Sequence, residues 1–188
     1  MEQRFFDAFQ ENPIIASVRD DRALRDALTT DVRVVFILYG DILSLPQIAE
    51  AVRAAGKLSV VHIDLIAGLS GSREIAVDYL RRSTCADGMI STHPNLVQRA
   101  KELRLFTLLR AFVIDSVALD ALRSARSVRP DALDVLPGLM PSVIRTVREQ
   151  TQLPVLTGGL ITRKQEVLSA LDAGALAISS ARPEVWRM

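Results

Sequence analysis

The run Val155-Leu156-Thr157-Gly158-Gly159-Leu160, with Ala175-Leu176-Ala177-Ile178-Ser179-Ser180 some twenty residues later, decides the fold. Each is a short apolar strand that ends in small residues, so backbone N–H groups stand uncovered where a helix begins. Such a pair near the end of a chain is how many (β/α)8 barrels hold a phosphate. A phosphorylated small molecule is therefore the first ligand to consider.

Working outward, the same unit repeats along the chain. Apolar, β-branched-rich segments end near Val18, Leu38, Ile63, Ile90, Ala111, Val135, Thr157 and Ser179, between 20 and 27 residues apart. Between them lie amphipathic stretches with helix punctuation. Ser44 with Gln47 reads as a capping box before Leu45, Ile48 and Val52, with Gly56 as the stop. Thr162 with Gln165 repeats the device before Val167, Leu168 and Leu171, and Gly174 ends it. Asp20-Asp21 reads as the cap of the first helix after a strand, and Ser72, Thr92-His93-Pro94, Asp115 and Pro141 mark further helix starts. Near-continuous apolar strands imply burial on both faces, as in a parallel sheet wrapped by helices. The expected fold is α/β, a compact (β/α)8 barrel forming one domain over residues 1–188. An open doubly wound sheet is the runner-up, but its Gly-rich fingerprint should follow the first strand, where this chain has Arg19-Asp20-Asp21.

Composition narrows the setting. Of 188 residues 49% are hydrophobic, and 23 basic residues nearly cancel 22 acidic ones. That suits a globular domain with one good core. Cys85 is the single cysteine, which excludes an internal disulfide and agrees with a reducing cytoplasm. No apolar run reaches the roughly 20 residues that span a bilayer, so no membrane contact is expected. Two histidines and one cysteine give no zinc spacing, so neither metal nor resident cofactor is expected. Trp186 is expected to pack against the barrel bottom or a partner.

In a barrel the polar residues at the C-terminal strand ends build the site. They are Arg19, Gly40-Asp41, His62 with Asp64, Ser91-Thr92, Arg110, Asp134 with Pro137-Gly138, Gly158-Gly159 and Ser179-Ser180. The phosphate is expected at Gly158, Gly159, Ser179 and Ser180. The rest of the ligand falls to Arg19, Asp41, His62, Asp64, Arg110, Asp134 and Gly138. Alternation along a strand puts His62 and Asp64 on one face. Arg110 and Asp134, on neighbouring strands, can pair, as buried charges must. His93, before Pro94, reads as a capping or surface residue. A Schiff-base enzyme needs a strand-end lysine, whereas Lys57, Lys101 and Lys164 read as helix or loop positions. No catalytic residue is assigned: the site looks equipped to grip a phosphate ester without transforming it.

At these residues the chain resembles the glycerol-3-phosphate responsive antiterminator family. The resemblance is carried by Val34-Val35-Phe36-Ile37-Leu38-Tyr39-Gly40-Asp41, Val61-His62-Ile63-Asp64-Leu65, Ala86-Asp87-Gly88-Met89-Ile90-Ser91-Thr92, Leu136-Pro137-Gly138-Leu139-Met140-Pro141, Thr157-Gly158-Gly159-Leu160-Ile161 and Glu184-Val185-Trp186-Arg187-Met188. It covers nearly the whole chain in order. It implies a cytoplasmic regulator whose effector is glycerol 3-phosphate and whose partner is the leader mRNA of glycerol-utilisation genes, where it relieves premature termination. Two places depart from the family pattern: His93-Pro94 stands where a basic or Ser-containing segment is usual, and Asp134 where a longer Glu is.

RNA binding has little support outside the resemblance, because net charge is +1 and aromatics are 5%. The best basic cluster is Arg123, Arg126 and Arg129 with Arg145 and Arg148 on the next helix, against the bland reading of a solvated helix face. Two functions remain in view. One is a ligand-gated RNA-binding regulator, alone or as a homo-oligomer. The other is a barrel enzyme acting on a phosphorylated three-carbon or prenyl-glycerol substrate, in which Asp41 and Asp64 would hold Mg²⁺.

Overall fold

The computed structural model describes residues 2–69 and 71–188, the side chains of residues 124–126 excepted. A leading helix α1 (Glu2–Glu11) is followed by alternating units: β1 (Ile14–Val18), α2 (Asp21–Leu28), β2 (Val34–Ile37), α3 (Leu45–Ala54), β3 (Leu58–His62), α4 (Ile75–Ser83), β4 (Gly88–Ser91) and α5 (Pro94–Glu102). The second half runs β5 (Phe106–Phe112), α6 (Ser116–Ala121), α7 (Ala125–Val128), β6 (Ala132–Leu136), α8 (Pro141–Thr151), β7 (Val155–Gly158), α9 (Lys164–Asp172), β8 (Ala177–Ser180) and α10 (Pro183–Trp186). The eight strands are all parallel and close, β8 pairing with β1 through Ile15↔Ser179. Closure rules out the open sheet, and each strand ends within one residue of its expected position.

Two apolar layers hold the fold. Strand residues facing outward, such as Val35, Val61 and Val135, pack under the helices. Those facing inward, such as Val34, Val60, Leu108 and Leu156, fill the barrel. Because alternate residues share a face, the inward stripe continues from Val60 to His62, from Leu108 to Arg110, from Ala132 to Asp134, from Ile15 to Ser17 and from Ala177 to Ser179. The interior is therefore apolar for most of its depth and turns polar at its C-terminal end.

Helix α1 has no counterpart in the expected pattern. It closes the N-terminal end of the barrel, burying Phe5, Ala8 and Phe9 against the interior layer, with the Phe5 ring stacked on Phe106 at 4.0 Å. Trp186 lies at the other end, contrary to expectation: it is buried, and its indole N–H donates to the Ser180 carbonyl at 2.7 Å, at the end of β8. An indole donor finds its partner at a strand end, where the ladder leaves a carbonyl free.

Helix starts agree at Asp20, whose carboxylate accepts from Ala23 N–H, at Asp115, which accepts from Ala118 N–H, and at Pro94 and Pro141. Three differ. Ser44 is already helical and makes no side-chain cap; Asp41 Oδ1 instead accepts from the N–H groups of Leu43 and Ser44, both at 2.8 Å, so an Asx turn replaces the capping box. At α9 the box is shifted one residue: Glu166, not Gln165, accepts from the N–H groups of Thr162 and Arg163. Helix α4 begins at Ile75, three residues beyond Ser72.

Candidate functional site

At the C-terminal end of the barrel a cavity of about 350 Å³ opens between the ends of β1, β7 and β8. Its walls are Ser17 near the end of β1, Arg19 just after it, Leu38, Arg110, Leu136, the turn Gly159–Thr162, and Ser179–Arg182. The lining holds three guanidinium groups, of Arg19, Arg110 and Arg182, and no Asp or Glu. Among the described residues the backbone N–H groups of Gly159, Leu160, Ile161 and Ala181 have no acceptor. The turn that bares them requires left-handed backbone: φ is +72° at Gly159 and +63° at Leu160. Uncovered N–H groups beside cations are an arrangement that suits an anion.

Glycines at the neighbouring positions do different work. Gly158 lies just below, where a Cβ would run into Ser179 Oγ and lie 2.9 Å from the Ser179 carbonyl. Its own carbonyl accepts from Gly138 N–H at 2.6 Å. Gly138 is in turn pressed against Thr157, a Cβ there falling 2.8 Å from Thr157 Oγ1. These two glycines let β6, β7 and β8 approach, and neither lines the cavity.

Beneath the cavity Arg110 and Asp134 form the expected pair. Both Nε and Nη2 reach Asp134 Oδ2 at 2.7 Å, in a site where Asp134 is fully buried. Asp134 Oδ1 is left without a partner, as is Nδ1 of His62, which is 4% exposed. Burial, with the adjacent Arg110 charge, pulls the His62 pKa down to about 4, against the opposing pull of Asp64 and Asp134. His62 is therefore a neutral imidazole at pH 7. Two unmatched polar atoms this deep mark places for a hydroxyl or a water.

Asp64 and Asp41 are placed differently. β3 ends at His62, and Ile63–Leu65 is a 3-10 turn, so strand alternation does not extend to Asp64. Its carboxylate accepts from Ser91 Oγ at 2.6 Å, Thr92 N–H at 2.8 Å and Thr92 Oγ1 at 2.9 Å, joining the β3 and β4 ends. Burial pushes this carboxyl up, but those hydrogen bonds and His62 outweigh it, and the pKa lies below the usual value. Asp41 is occupied by its turn, whose N–H and hydroxyl donors at Ser44 and then Leu43 also lower its pKa. Neither lines the cavity, and among the described residues no three His, Cys, Asp or Glu side chains are grouped as for a metal.

Of the expected ligand residues, then, Arg19, Arg110, Gly159, Ser179 and Ser180 line one cavity, while Asp41, His62, Asp64, Asp134, Gly138 and Gly158 stand beside or below it. Arg182, Ser17 and Thr162 line it without having been anticipated. Arg182 lies two residues past the end of β8, and reading each strand end a turn further brings it in. His93 is more than a helix-start residue: its Nδ1 is 3.6 Å from Asp64.

The basic cluster divides. The segment Leu122–Ser124 packs on α8, and Arg123 on the one and Arg145 on the other are both exposed. Arg129 stands at the N-terminal end of the barrel, where its carbonyl accepts from Lys101 Nζ, and Arg148 lies across Gly174. The Arg126 side chain lies outside the described residues.

Comparison with known proteins gives consistent matches. A family model described as glycerol-3-phosphate responsive antiterminator matches residues 14–186. The Escherichia coli (strain K12) protein YgcP, itself uncharacterised, is 32% identical over 180 residues, covering 95% of this chain and 94% of that one. Two crystal structures are similar: the glycerol uptake operon antiterminator regulatory protein of Listeria monocytogenes (TM-score 0.89, 28% identity, 93% of this chain and 95% of that one) and a glycerol uptake operon antiterminator-related protein of Thermotoga maritima (TM-score 0.82, 29% identity, 93% and 98%).

Proposed function

The chain belongs to the glycerol-3-phosphate responsive antiterminator family, and from that premise we propose that it senses glycerol 3-phosphate at the barrel mouth and acts, without turnover, on leader RNA. The observation that carries the reading is the cavity at β1, β7 and β8, walled by Arg19, Arg110 and Arg182 with no carboxylate. A phosphate there accepts from the bared N–H groups of residues 159–161. The unmatched His62 Nδ1 and Asp134 Oδ1 below it suit the hydroxyls of a short polyol.

The lysines do not favour the enzyme reading. Lys57 is anchored to the Thr30 and Val32 carbonyls, Lys101 to Arg129 and Asp131, and Lys164 opens α9. RNA contact is proposed through the exposed arginines, with Arg123 and Arg145 first, since phosphate contacts need no dedicated motif.

The test is a calorimetric titration with glycerol 3-phosphate, with and without leader RNA. Coupling free energy is reciprocal. If the ligand promotes RNA binding, saturating RNA raises ligand affinity by the same factor, and glycerol alone binds far more weakly. Equal affinity for glycerol and its phosphate contradicts the ligand; indifference to RNA contradicts the gating.

A further inference from the structure

Arg19 and Arg182 bring two exposed guanidinium groups to the cavity. Arg110 is matched by Asp134, whereas among the described residues neither Arg19 nor Arg182 forms an ion pair. They follow β1 and β8, which are adjacent through Ala16↔Ser180, and so flank the same opening. We propose that this pair makes the site selective for a phosphomonoester dianion, so that the ligand is recognised by its second negative charge. The inference rests on the reading that the cavity holds the phosphate.

The argument is one of charge matching. Two unpaired guanidinium groups beside bared N–H donors balance a charge of −2. Both guanidinium groups are exposed in the free protein and a bound ligand draws them together; a diester or a singly protonated monoester brings one negative charge to two cations, so it gains less attraction and offsets less of their mutual repulsion than a dianion does. The acidic and histidine groups on the elements around the cavity are Asp20, which caps α2, Asp21 and Asp26 on α2, Glu166 and Asp172 on α9, Glu184 on α10 and, beneath Arg110, Asp134 and His62. Their contribution has to be separated from that of the ligand.

Three probes do this across about pH 5 to 8: glycerol 3-phosphate, its methyl diester, which stays a monoanion, and sulfate, which stays a dianion. A phosphomonoester loses its second charge near pH 6, so wild-type affinity for glycerol 3-phosphate falls about tenfold from pH 8 to 5. Sulfate, reporting protein groups alone, changes by less than about twofold, and at pH 8 the diester binds at least about tenfold more weakly than the monoester. In Arg182→Gln the two esters converge to within about threefold, and Arg182→Lys restores part of the gap. The proposal is overturned if wild-type protein binds both esters equally at pH 8, or if the gap survives in a folded Arg182→Gln. Should glycerol 3-phosphate fail to bind while sulfate binds and is weakened by Arg182→Gln, the clamp stands and the effector assignment falls; binding of neither anion removes both.

Discussion

The two ends of this barrel are made by the same eight strands and are finished in opposite ways. At the N-terminal end α1 lays Phe5 and Phe9 over Phe106 and seals the interior with carbon. At the C-terminal end the inward stripe switches to Ser17, His62, Arg110, Asp134 and Ser179, and the loops and helix starts leave apolar side chains in solvent, among them Leu43, Ile75, Ile114, Val117 and Leu160, each at least 70% exposed. A sealed end built from stacked rings has stability as its whole explanation. A polar end that buries an ion pair does not, because such a pair is commonly no better for stability than apolar packing. The difference is the ground for proposing recognition at the mouth.

The largest effects should separate the two ends by their readouts. Phe5→Ala removes a fully buried ring and is expected to cost about 3–5 kcal/mol in denaturant unfolding, with ligand affinity unchanged. Asp134→Ala leaves Arg110 buried and unpaired, at a comparable cost of about 3–5 kcal/mol, and weakens ligand binding as well. A ligand defect in a folded Phe5→Ala protein would break the division.

His62 gives the next effect, through pH. Its folded pKa of about 4 lies below the ordinary histidine value of 6.5, so the unfolded chain binds the extra proton between those values. Stability is fully present above about pH 6.5 and declines as pH falls towards 4, by on the order of 3 kcal/mol. His62→Gln should flatten that part of a stability-against-pH profile. An unchanged profile would mean that folding leaves the His62 pKa at its ordinary value.

Smaller again is Gly159→Val. With φ at +72° and Leu136 Cδ2 only 3.2 Å from an added Cβ, the substitution should cost about 1–3 kcal/mol and obstruct the phosphate. Thermal unfolding and sulfate binding measured together check both parts.

Strand positions were legible because the parallel core leaves an apolar run every unit, and the Arg110–Asp134 pair because register follows from neighbouring strands. The role of α1 was not legible: Phe5 and Phe9 at i, i+4 suit any amphipathic helix, and only a closed barrel supplies the open end they fill. Asp64 was misplaced because alternation was carried past the last strand residue into a 3-10 turn. Arg182 was missed because the turn after β8 contributes a long side chain from beyond the strand end, which strand periodicity does not reach.

Backbone hydrogen exchange tests the central claim most directly. The amides of Gly159, Leu160, Ile161 and Ala181 have no acceptor among the described residues, so they should exchange quickly in free protein. Saturating glycerol 3-phosphate should slow exchange in these two turns and leave α1 and the first residues of the strands unchanged. Protection confined to the N-terminal end, or none at residues 159–161 and 181 under saturation, would contradict the account.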